Sequence, residues 1–262
     1  MSRLLVFGLG YAASAIAARL RSKGWTIHAT GRAGDLDFGD EPPVRDALAW
    51  ASHVLSSVPP GEESDPVLAR YGDGLGGRWL GYLSSTGVYG DTGGAWVDES
   101  APVGRGRRSA RTEADARWLA LGARVVRLPG IYGPGRSPID RVRGGKAHRI
   151  DLPEDRPGQV FSRVHVADIA GGVAAAIAAD VAPGAYNLGD DEPASQNAVV
   201  EHACRLLGAP PPPLQPLDEA NLSPMARGFY AETRRVANGK LKRAAGWAPF
   251  FPSYREGLAS LL

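Results

Sequence analysis

The sequence predicts an α/β fold in which a doubly wound parallel sheet is joined to a small C-terminal cap. Three observations lead to this prediction: apolar runs of strand length alternate with helical stretches, a glycine turn separates the first run from the first helix, and the composition is that of a globular protein. Of the 262 residues, 44% are hydrophobic and 22% are charged, which excludes a disordered chain.

The predicted elements follow one another in the alternating order of βαβ units. The predicted strands are Leu4–Phe7, Thr26–Thr30, His53–Val58, Trp79–Ser84, Ala123–Arg127 and Tyr186–Leu188. The predicted helices include Tyr11–Leu20, Ser109–Leu121, Asp168–Ala179 and Asn197–Leu207. From about Gly135 the pattern loosens. We therefore expect residues 1–136, continued by about 160–190, to form the sheet domain, and residues 137–262 to supply a smaller, discontinuous cap.

Charge and cysteine content limit the partners of the chain. The net charge is +2 and the 30 basic residues are balanced by 28 acids, so neither nucleic acid nor a membrane is expected as a partner. The single cysteine, Cys204, cannot form an internal disulfide, which suits a reducing compartment. The apolar N-terminus is interpreted as a strand and a helix rather than a signal peptide, because its glycines have binding-turn spacing. A cytoplasmic protein is expected.

A G-x-G-x-x-A turn joins the first predicted strand to the first predicted helix. Its residues are Gly8, Leu9, Gly10, Tyr11, Ala12 and Ala13. The first glycine allows a tight turn, the second lets the backbone approach a pyrophosphate, and Ala13 lets helix and strand pack closely. The helix N-terminus supplies N–H groups and positive potential to phosphates. The pattern predicts dinucleotide binding, and the alternative is a tight turn that binds nothing.

The end of the second strand predicts which dinucleotide binds. NAD sites place an Asp or Glu there to accept a hydrogen bond from the ribose 2′-hydroxyl, whereas NADP sites offer an arginine to the 2′-phosphate. Here Thr30 is followed by Gly31 and Arg32, and the nearest acid, Asp35, comes three residues later. The sequence therefore favours NADP(H), with NAD(H) as the alternative. The other interpretation of Arg32 is a solvated surface charge.

Four further motifs occur at the predicted strand and helix boundaries. They are Leu83–Gly90 (LSSTGVYG), Arg127–Gly135 (RLPGIYGPG), Arg163–Ala170 (RVHVADIA) and Tyr186–Gly189 (YNLG). In this order they resemble the extended short-chain dehydrogenase/reductase superfamily, the NAD-dependent epimerase/dehydratase family, as far as about residue 190. The GLGY loop, the SVPP segment at 57–60 and the tail GWAPFFPSYREGL are similar to its YeeZ-like branch.

The resemblance implies a Rossmann-type sheet and a set of site residues. Ser85 is implied to orient a substrate carbonyl or alcohol beside the reacting carbon, and the alternative is a strand-end serine bonded to local backbone. Further cofactor contacts are implied at Ser57, Val58, Pro59, Ser84, Pro129 and Gly130. Asn187, His165 and Asp168 are more often structural in such folds.

The sequence departs from the family at its catalytic Tyr-x-x-x-Lys pair. None of the eight tyrosines is followed by a lysine four residues later. Depending on the alignment, the two positions hold Arg107 and Arg111, or Arg105 and Ser109. An arginine cannot exchange a proton near neutral pH because its pKa exceeds about 12, although it can bind a ribose, a phosphate or an acidic group. The other interpretation of this arginine cluster is a solvated helix face.

The predicted function is that of an NADP-dependent oxidoreductase or epimerase-like enzyme acting on a small polar metabolite. Tyr89 and Tyr132 lie in loops near the expected site and are candidates for the missing proton-transfer group. The cations Arg136, Arg141, Arg143, Lys146 and Arg149 suit an anionic substrate, or else form a solvated basic loop. No metal site is expected, and a homodimer is compatible with the resemblance. The alternative is a non-catalytic NAD(P)-binding sensor or scaffold protein, which the missing pair suggests.

Overall fold

The structure, a computed structural model, describes residues 2–62, 64–106, 109–152, 159–220 and 222–262, without the side chains of 224–226. The strands are β1 Arg3–Phe7, β2 Thr26–Ala29, β3 His53–Ser56, β4 Trp79–Ser85, β5 Trp96–Val97, β6 Arg124–Leu128, β7 Gly130–Tyr132, β8 Arg149–Asp151, β9 Arg163–His165, β10 Gly184–Asn187, β11 Leu214–Pro216 and β12 Arg235–Val236. The α-helices are α1 Tyr11–Arg21, α2 Glu41–Trp50, α3 Pro66–Tyr71, α4 Ser109–Ala120, α5 Pro138–Arg143, α6 Val166–Ala178, α7 Gln196–Leu207, α8 Pro224–Phe229, α9 Gly239–Ala245 and α10 Tyr254–Ala259.

The doubly wound parallel sheet expected from the sequence is confirmed. Its order is β2-β1-β3-β4-β6-β10, and every neighbouring pair is parallel. The chain leaves β1 for β2 on one side and then crosses to β3 on the other. Such a reversal opens a crevice at the carboxyl ends of the two strands, where ligands bind in open α/β sheets. Residues 31–40 lead from β2 to α2 without a further named strand. Strand β3 then pairs directly with β1.

Strand β1 shows why the sheet needs helices on both faces. Leu4 and Val6 pack in one hydrophobic cluster with α1 and α6, whereas Leu5 and Phe7 pack in another with α2, α3 and α4. All four side chains are fully buried. Successive residues of a strand point to opposite faces, so a strand that is apolar throughout must be covered on both sides.

Residues beyond β7 build smaller units over the carboxyl end of the sheet. We call α5, β8, α7, β11, α8 and α10 the cap. Helices α5, α7 and α10 share one hydrophobic cluster, and β8 pairs with β11. Strand β12 pairs with β5, which brings residues 233–236 beside the loop after β4. In the described ranges, no helix combines the length and apolar character that a membrane crossing requires.

Candidate cofactor and substrate site

A cleft of about 970 Å³ opens at the carboxyl ends of β1, β3, β4 and β6 and continues to the cap. Nine of the residues assigned to the site from the sequence line it: Gly10, Tyr11, Ala12, Ser57, Ser84, Ser85, Pro129, Gly130 and Tyr132. The other assigned residues do not line it: Gly8, Leu9, Ala13, Arg32, Val58, Pro59 and Tyr89. Most of the first group come from four strand ends that are far apart in the sequence.

The glycine turn is held in shape by contacts that only glycine allows at Gly8. Gly8 has a φ of 83°, and a Cβ atom there would lie 2.9 Å from Val58 Cγ2. Its N–H donates to Thr30 Oγ1 at 3.0 Å, and its carbonyl accepts a hydrogen bond from the Ser57 hydroxyl. The side chain of Val58 therefore supports the turn from behind, outside the cleft itself.

The first turn of α1 offers unpaired donors to a ligand. Gly10 precedes the helix without a side-chain cap, and a Cβ atom on it would meet nothing within 4 Å. The N–H groups of Tyr11, Ala12 and Ala13 have no hydrogen-bond partner among the described residues. Ala13 itself is fully buried against the sheet. Open space in front of free N–H groups at a helix N-terminus fits a dinucleotide pyrophosphate.

The end of β2 is attached to the glycine turn. Leu9 N–H donates to the Thr30 carbonyl at 2.8 Å, and a Cβ atom on Gly31 would lie 3.1 Å from the Leu9 nitrogen. Arg32 follows, is exposed, and forms no ion pair with the described residues. It therefore lies at the mouth of the turn rather than in the cleft wall.

The nearest acid, Asp35, is turned back onto its own strand. Its carboxylate accepts the Ala29 N–H at 2.7 Å and lies 2.5 Å from His28 Nδ1. Partial burial raises the pKa of Asp35, but the hydrogen bonds from His28 and the Ala29 N–H outweigh that effect and hold it below its ordinary value. Both oxygens of the Asp35 carboxylate are thus hydrogen-bonded to groups of β2.

Ser85 ends β4 inside the cleft. Its hydroxyl oxygen accepts the Gly87 N–H at 3.1 Å and so caps the short 3₁₀ turn at Thr86–Tyr89. The hydroxyl hydrogen has no acceptor among the described residues. Both interpretations from the sequence therefore describe the same atom: it satisfies local backbone and still faces the cleft.

Behind Ser85 lies a buried polar network. Ser84 Oγ donates to Asp115 at 2.7 Å, and Arg127 binds the same carboxylate through two nitrogens at 2.7 and 3.1 Å. Arg127 also donates to the Tyr89 hydroxyl, which in turn donates to Asn187 Oδ1 at 2.8 Å. Burial raises the pKa of Tyr89. The structure places this phenol inside the network, where it has no access to the cleft.

Tyr132 lines the cleft, but its hydroxyl points away toward α10. A Cβ atom on Gly257 would lie 2.0 Å from that oxygen. Burial raises the pKa of Tyr132, and the neighbouring Asp190 and Asp168 add to the shift. His165 is buried between the rings of Tyr132 and Phe251, and burial lowers its pKa.

Asp168 fastens the C-terminal segment to α6. Its carboxylate accepts the N–H groups of Phe250 and Phe251 at 2.6 and 3.2 Å. Burial raises its pKa, and these two hydrogen bonds partly oppose that. The structure thus gives Asp168 a supporting position away from the cleft.

Helix α4 contributes one of the four residues named for the missing catalytic pair. Arg111 lines the cleft and donates to the Tyr82 hydroxyl at 3.2 Å. Arg105 and Ser109 do not line it, and Arg107 lies outside the described residues. Among the described members of this set, Arg111 is the residue that can reach a ligand in the cleft.

The cations of the cap are divided between the cleft and the surface. Arg136, Arg141 and Lys146 line the cleft, and none forms an ion pair with the described residues. Arg136 stacks over the Tyr11 ring, with 5.7 Å between guanidinium and ring centre. Arg143 does not line the cleft, and Arg149 is paired with Glu201 at 2.7 Å. Three of the five cations are therefore placed to meet an anionic ligand.

Sequence reasoning missed other polar residues of the cleft wall. These are His148, Arg163, Gln196, Tyr230, Glu232 and Arg234. Tyr230 lies with its hydroxyl 3.3 Å from His148 Nε2, and Arg234 is paired with Glu232 at 2.8 Å. Arg163 donates to the carbonyls of Phe161 and Ala194. Arg163 begins the Arg163–Ala170 motif, which implied no site role for it, and the others are distant in the sequence and belong to no recognisable motif.

Comparison with other proteins shows which known structures share the fold of this chain. No protein-family model matches it. A protein of Silicibacter pomeroyi described as functionally unknown shares 42% identity and a TM-score of 0.89, with 100% of this chain and 98% of that one covered. The human epimerase family protein SDR39U1 with NADPH gives a TM-score of 0.75 at 18% identity, covering 99% and 98% of the two chains. The dTDP-glucose 4,6-dehydratase of Bacillus anthracis with NAD gives 0.73 at 18% identity, covering 100% and 95%.

Two curated relatives extend this comparison. A 3-diazoavenalumate denitrifying reductase of Streptomyces is 37% identical over 149 residues, which cover 53% of this chain and only 46% of that protein. The chain thus matches about half the length of that reductase. Protein YeeZ of Escherichia coli is 26% identical over 270 aligned residues, covering 91% of this chain and 94% of YeeZ. The resemblance seen in the sequence is confirmed: the chain is a YeeZ homologue with the fold of the NAD-dependent epimerase/dehydratase family.

Proposed function

We propose that the protein is an NADP(H)-dependent oxidoreductase acting on a small, polar, anionic metabolite. One observation carries the proposal: a single continuous cleft joins the free N–H groups of α1 to Ser85 and then to the cations Arg141 and Lys146. A cofactor-binding end, a polarising hydroxyl and a basic end therefore belong to the same cavity. This is the arrangement that hydride transfer between a dinucleotide and a bound substrate requires.

The cofactor is proposed to bind along the glycine turn. The N–H groups of Tyr11 and Ala12 meet the pyrophosphate, while Pro129 and Gly130 lie beside the nicotinamide and Arg111 beside its ribose. A bound nicotinamide supplies or accepts a hydride. The protein's own part is to orient the substrate at Ser85.

A preference for NADP(H) is supported by two side chains at the end of β2. Arg32 is exposed and unpaired, so it is available to a 2′-phosphate. Asp35 already accepts bonds from His28 and the Ala29 N–H, so its carboxylate is not oriented to receive a ribose hydroxyl. We therefore propose that NADPH binds more tightly than NADH.

Reduction is supported as the reaction by the name of one relative. The Streptomyces protein matched over 149 residues is a reductase, and the name of its substrate denotes a carboxylate anion. Arg141 and Lys146 suit a ligand of that charge. An epimerase-like reaction on the same class of substrate is the alternative. We propose that neither Tyr89 nor Tyr132 transfers the proton, since both hydroxyls are turned away from the cleft.

Side-by-side titrations of the protein with NADPH and NADH test the first half of the proposal. Tight NADPH binding and weaker NADH binding are expected, followed through tryptophan quenching and nucleotide fluorescence. The second half is tested by NADPH oxidation with a panel of small carboxylates that carry a reducible group. Turnover that is lost in Ser85→Ala but kept in Ser22→Ala, a change at an exposed serine outside the cleft, supports the assignment. Failure of both nucleotides to bind refutes it.

The second candidate function is that of an NADP(H) sensor or scaffold. It is favoured by the burial of the Tyr89 and Tyr132 hydroxyls, which leaves the usual phenol without a replacement from either residue. Nucleotide binding without turnover on any substrate of the panel, together with a change of conformation on binding, would select it over the enzyme.

A further inference from the structure

Ser85 and Arg234 face the same point beside Gly87 in the cleft wall. A Cβ atom built on Gly87 would lie 3.3 Å from Ser85 Oγ and 4.0 Å from Arg234 Nη2. Apart from the chain neighbours of Gly87 and the backbone of its own 3₁₀ turn, no other heavy atom of the described residues lies within 4 Å of that point. Both residues line the cleft, so the hydroxyl and the guanidinium are placed to meet the same ligand.

Arg234 is fixed in place by groups that leave one nitrogen available. Its Nη1 donates to the Gly90 carbonyl at 2.6 Å and to Glu232 Oε2 at 2.8 Å. Its Nη2 donates to no atom of the described residues, and only 15% of the side chain is exposed. A rigid, partly buried guanidinium with a free N–H group is a strong site for a negatively charged oxygen.

The pairing of β12 with β5 places Arg234 beside the loop after β4. Arg235 and Val236 pair with Trp96 and Val97, and Arg234 directly precedes this pairing. Arg234 and Gly90 are 144 residues apart in the sequence, and hydrogen bonds from Thr233, Arg234 and Arg235 join the two segments. Ser85 therefore forms its half of the site on the sheet, and the other half comes from the C-terminal region.

We propose that Ser85 and Arg234 together bind the substrate oxygen that becomes an oxyanion during reduction. The inference rests on the function proposed above and names the group that substitutes for the missing phenol. The carbonyl carbon accepts a hydride with its electron pair from the reduced dinucleotide, which is thereby oxidised, and the π electrons move onto the oxygen. That oxygen then takes a proton from water. Arg234 stabilises the charge without giving up a proton, because a guanidinium stays protonated at neutral pH.

Benzoate is a suitable probe because its carboxylate carries charged oxygens and its ring suits the apolar wall formed by Ile131, Val160 and Phe161. Binding is measured by calorimetry on the wild-type protein with and without NADP⁺. In parallel, the guanidinium N–H resonances of ¹⁵N-labelled protein are followed by NMR. We expect saturable binding, a shift of the Arg234 resonance, and no comparable binding of benzyl alcohol, which has the ring but no charge.

Substitutions at two adjacent arginines separate the proposed role from a structural one. Arg234→Ala is expected to weaken benzoate binding at least about tenfold, and Arg234→Lys to restore part of it, because a charged hydrogen bond to a carboxylate is lost and then partly replaced. Arg235→Ala is the matched control, since Arg235 donates to the Gly94 carbonyl from the same strand and does not line the cleft. It should bind benzoate as the wild-type protein does.

Gly87→Ala keeps both polar groups and fills the space between them. Gly87 has no positive φ, so the backbone accepts alanine, and the added methyl group occupies the point that both groups face. Loss of benzoate binding in a variant that still unfolds like wild type supports the site. Wild-type levels of binding in both Gly87→Ala and Arg234→Ala, or no binding by wild-type protein, overturn it.

The two proposals fail in different ways. If NADPH does not bind but benzoate binding depends on Arg234, the proposed enzyme function falls and the oxyanion site stands. If NADPH binds and benzoate binding is indifferent to Arg234, the site falls and the cofactor assignment stands.

Discussion

The two ends of the cleft are built in different ways. The part of the cofactor end around the glycine turn is made by three short segments within the first 60 residues: the turn itself, the end of β2, and Ser57 with Val58. The substrate end combines the loop after β4, the region from β7 to β9, and the segment around Arg234. The first end depends on backbone conformation, whereas the second depends on contacts between side chains that are far apart in the sequence.

The two ends therefore require different properties of their residues. At the cofactor end, glycine is needed at Gly8 because of its φ of 83° and its contact with Val58. At the substrate end, charge is needed, but the same cation could come from several positions. Substitutions should therefore act on geometry at one end and on charge at the other.

The largest effect is expected at the buried ion pair that supports the end of β4. Asp115 and Arg127 are 1% and 3% exposed and lie behind Ser84 and Ser85. Asp115→Ala leaves the Arg127 charge buried without its carboxylate, which costs about 3–5 kcal/mol of unfolding free energy. Urea denaturation measures the loss. Asp46→Ala, at an exposed position on α2, is the matched control and should change stability by less than about 0.5 kcal/mol.

The second effect is the pH dependence of the unfolding free energy that arises from Asp190. Asp190 is 2% exposed, its carboxylate has no hydrogen-bond partner among the described residues, and burial raises its pKa to about 8. The native state therefore holds this proton more tightly than the unfolded state, in which the pKa is about 4. The stabilisation is complete below about pH 4 and is lost as the pH rises toward 8.

Asp190→Asn removes this titration while keeping the size of the side chain. Between about pH 5 and about pH 8.5, the window that the raised pKa sets, the melting temperature of the wild-type protein should fall more than that of the variant. Other groups titrate equally in both proteins, so the difference isolates Asp190. Parallel curves for the two proteins would contradict the raised pKa.

The same contrast explains how much could be predicted from the sequence. The six strands of the main sheet were predicted, with shifted ends, because strands buried on both faces, such as β1, are apolar throughout. Dinucleotide binding is predicted from one local turn, Gly8–Ala13. Helix α2 was not named: Pro42 and Pro43 occupy its first turn, where proline is tolerated although it usually indicates a loop.

The residues of the substrate end could not be predicted from the sequence, because the pairing of β5 with β12 brings distant segments together there. Strands β5 and β12 have two residues each, too few to show a periodic pattern, and they pair Trp96 with Arg235 across the chain. Tyr89 was a candidate for proton transfer because it follows β4. Its burial depends on Arg127 and Asn187, whose positions no spacing in the sequence reveals.

A smaller effect tests whether the cofactor end needs the left-handed backbone conformation of Gly8. Gly8→Ala places a Cβ 2.9 Å from Val58 Cγ2 in a left-handed conformation, which costs about 1–2 kcal/mol and distorts the turn. That energy corresponds to a fall of about five- to thirtyfold in NADPH affinity. Gly24→Ala is the matched control: its φ is 80°, but a Cβ there meets nothing within 4 Å. Fluorescence titration should show a loss of affinity only in the first variant.

The smallest effect distinguishes the two nucleotides at the mouth of the glycine turn. Arg32→Ala removes an exposed guanidinium, so the expected loss is about 1.5 kcal/mol, or roughly tenfold in NADPH affinity, at the low end for a charged hydrogen bond. NADH affinity should not change, because NADH lacks the 2′-phosphate. Arg21→Ala, an exposed arginine at the far end of α1, controls for the overall charge. Because Arg32 does not line the cleft, its removal should change the ratio of NADPH affinity to NADH affinity and leave the substrate end intact. An equal loss for both nucleotides would instead place Arg32 at the shared pyrophosphate.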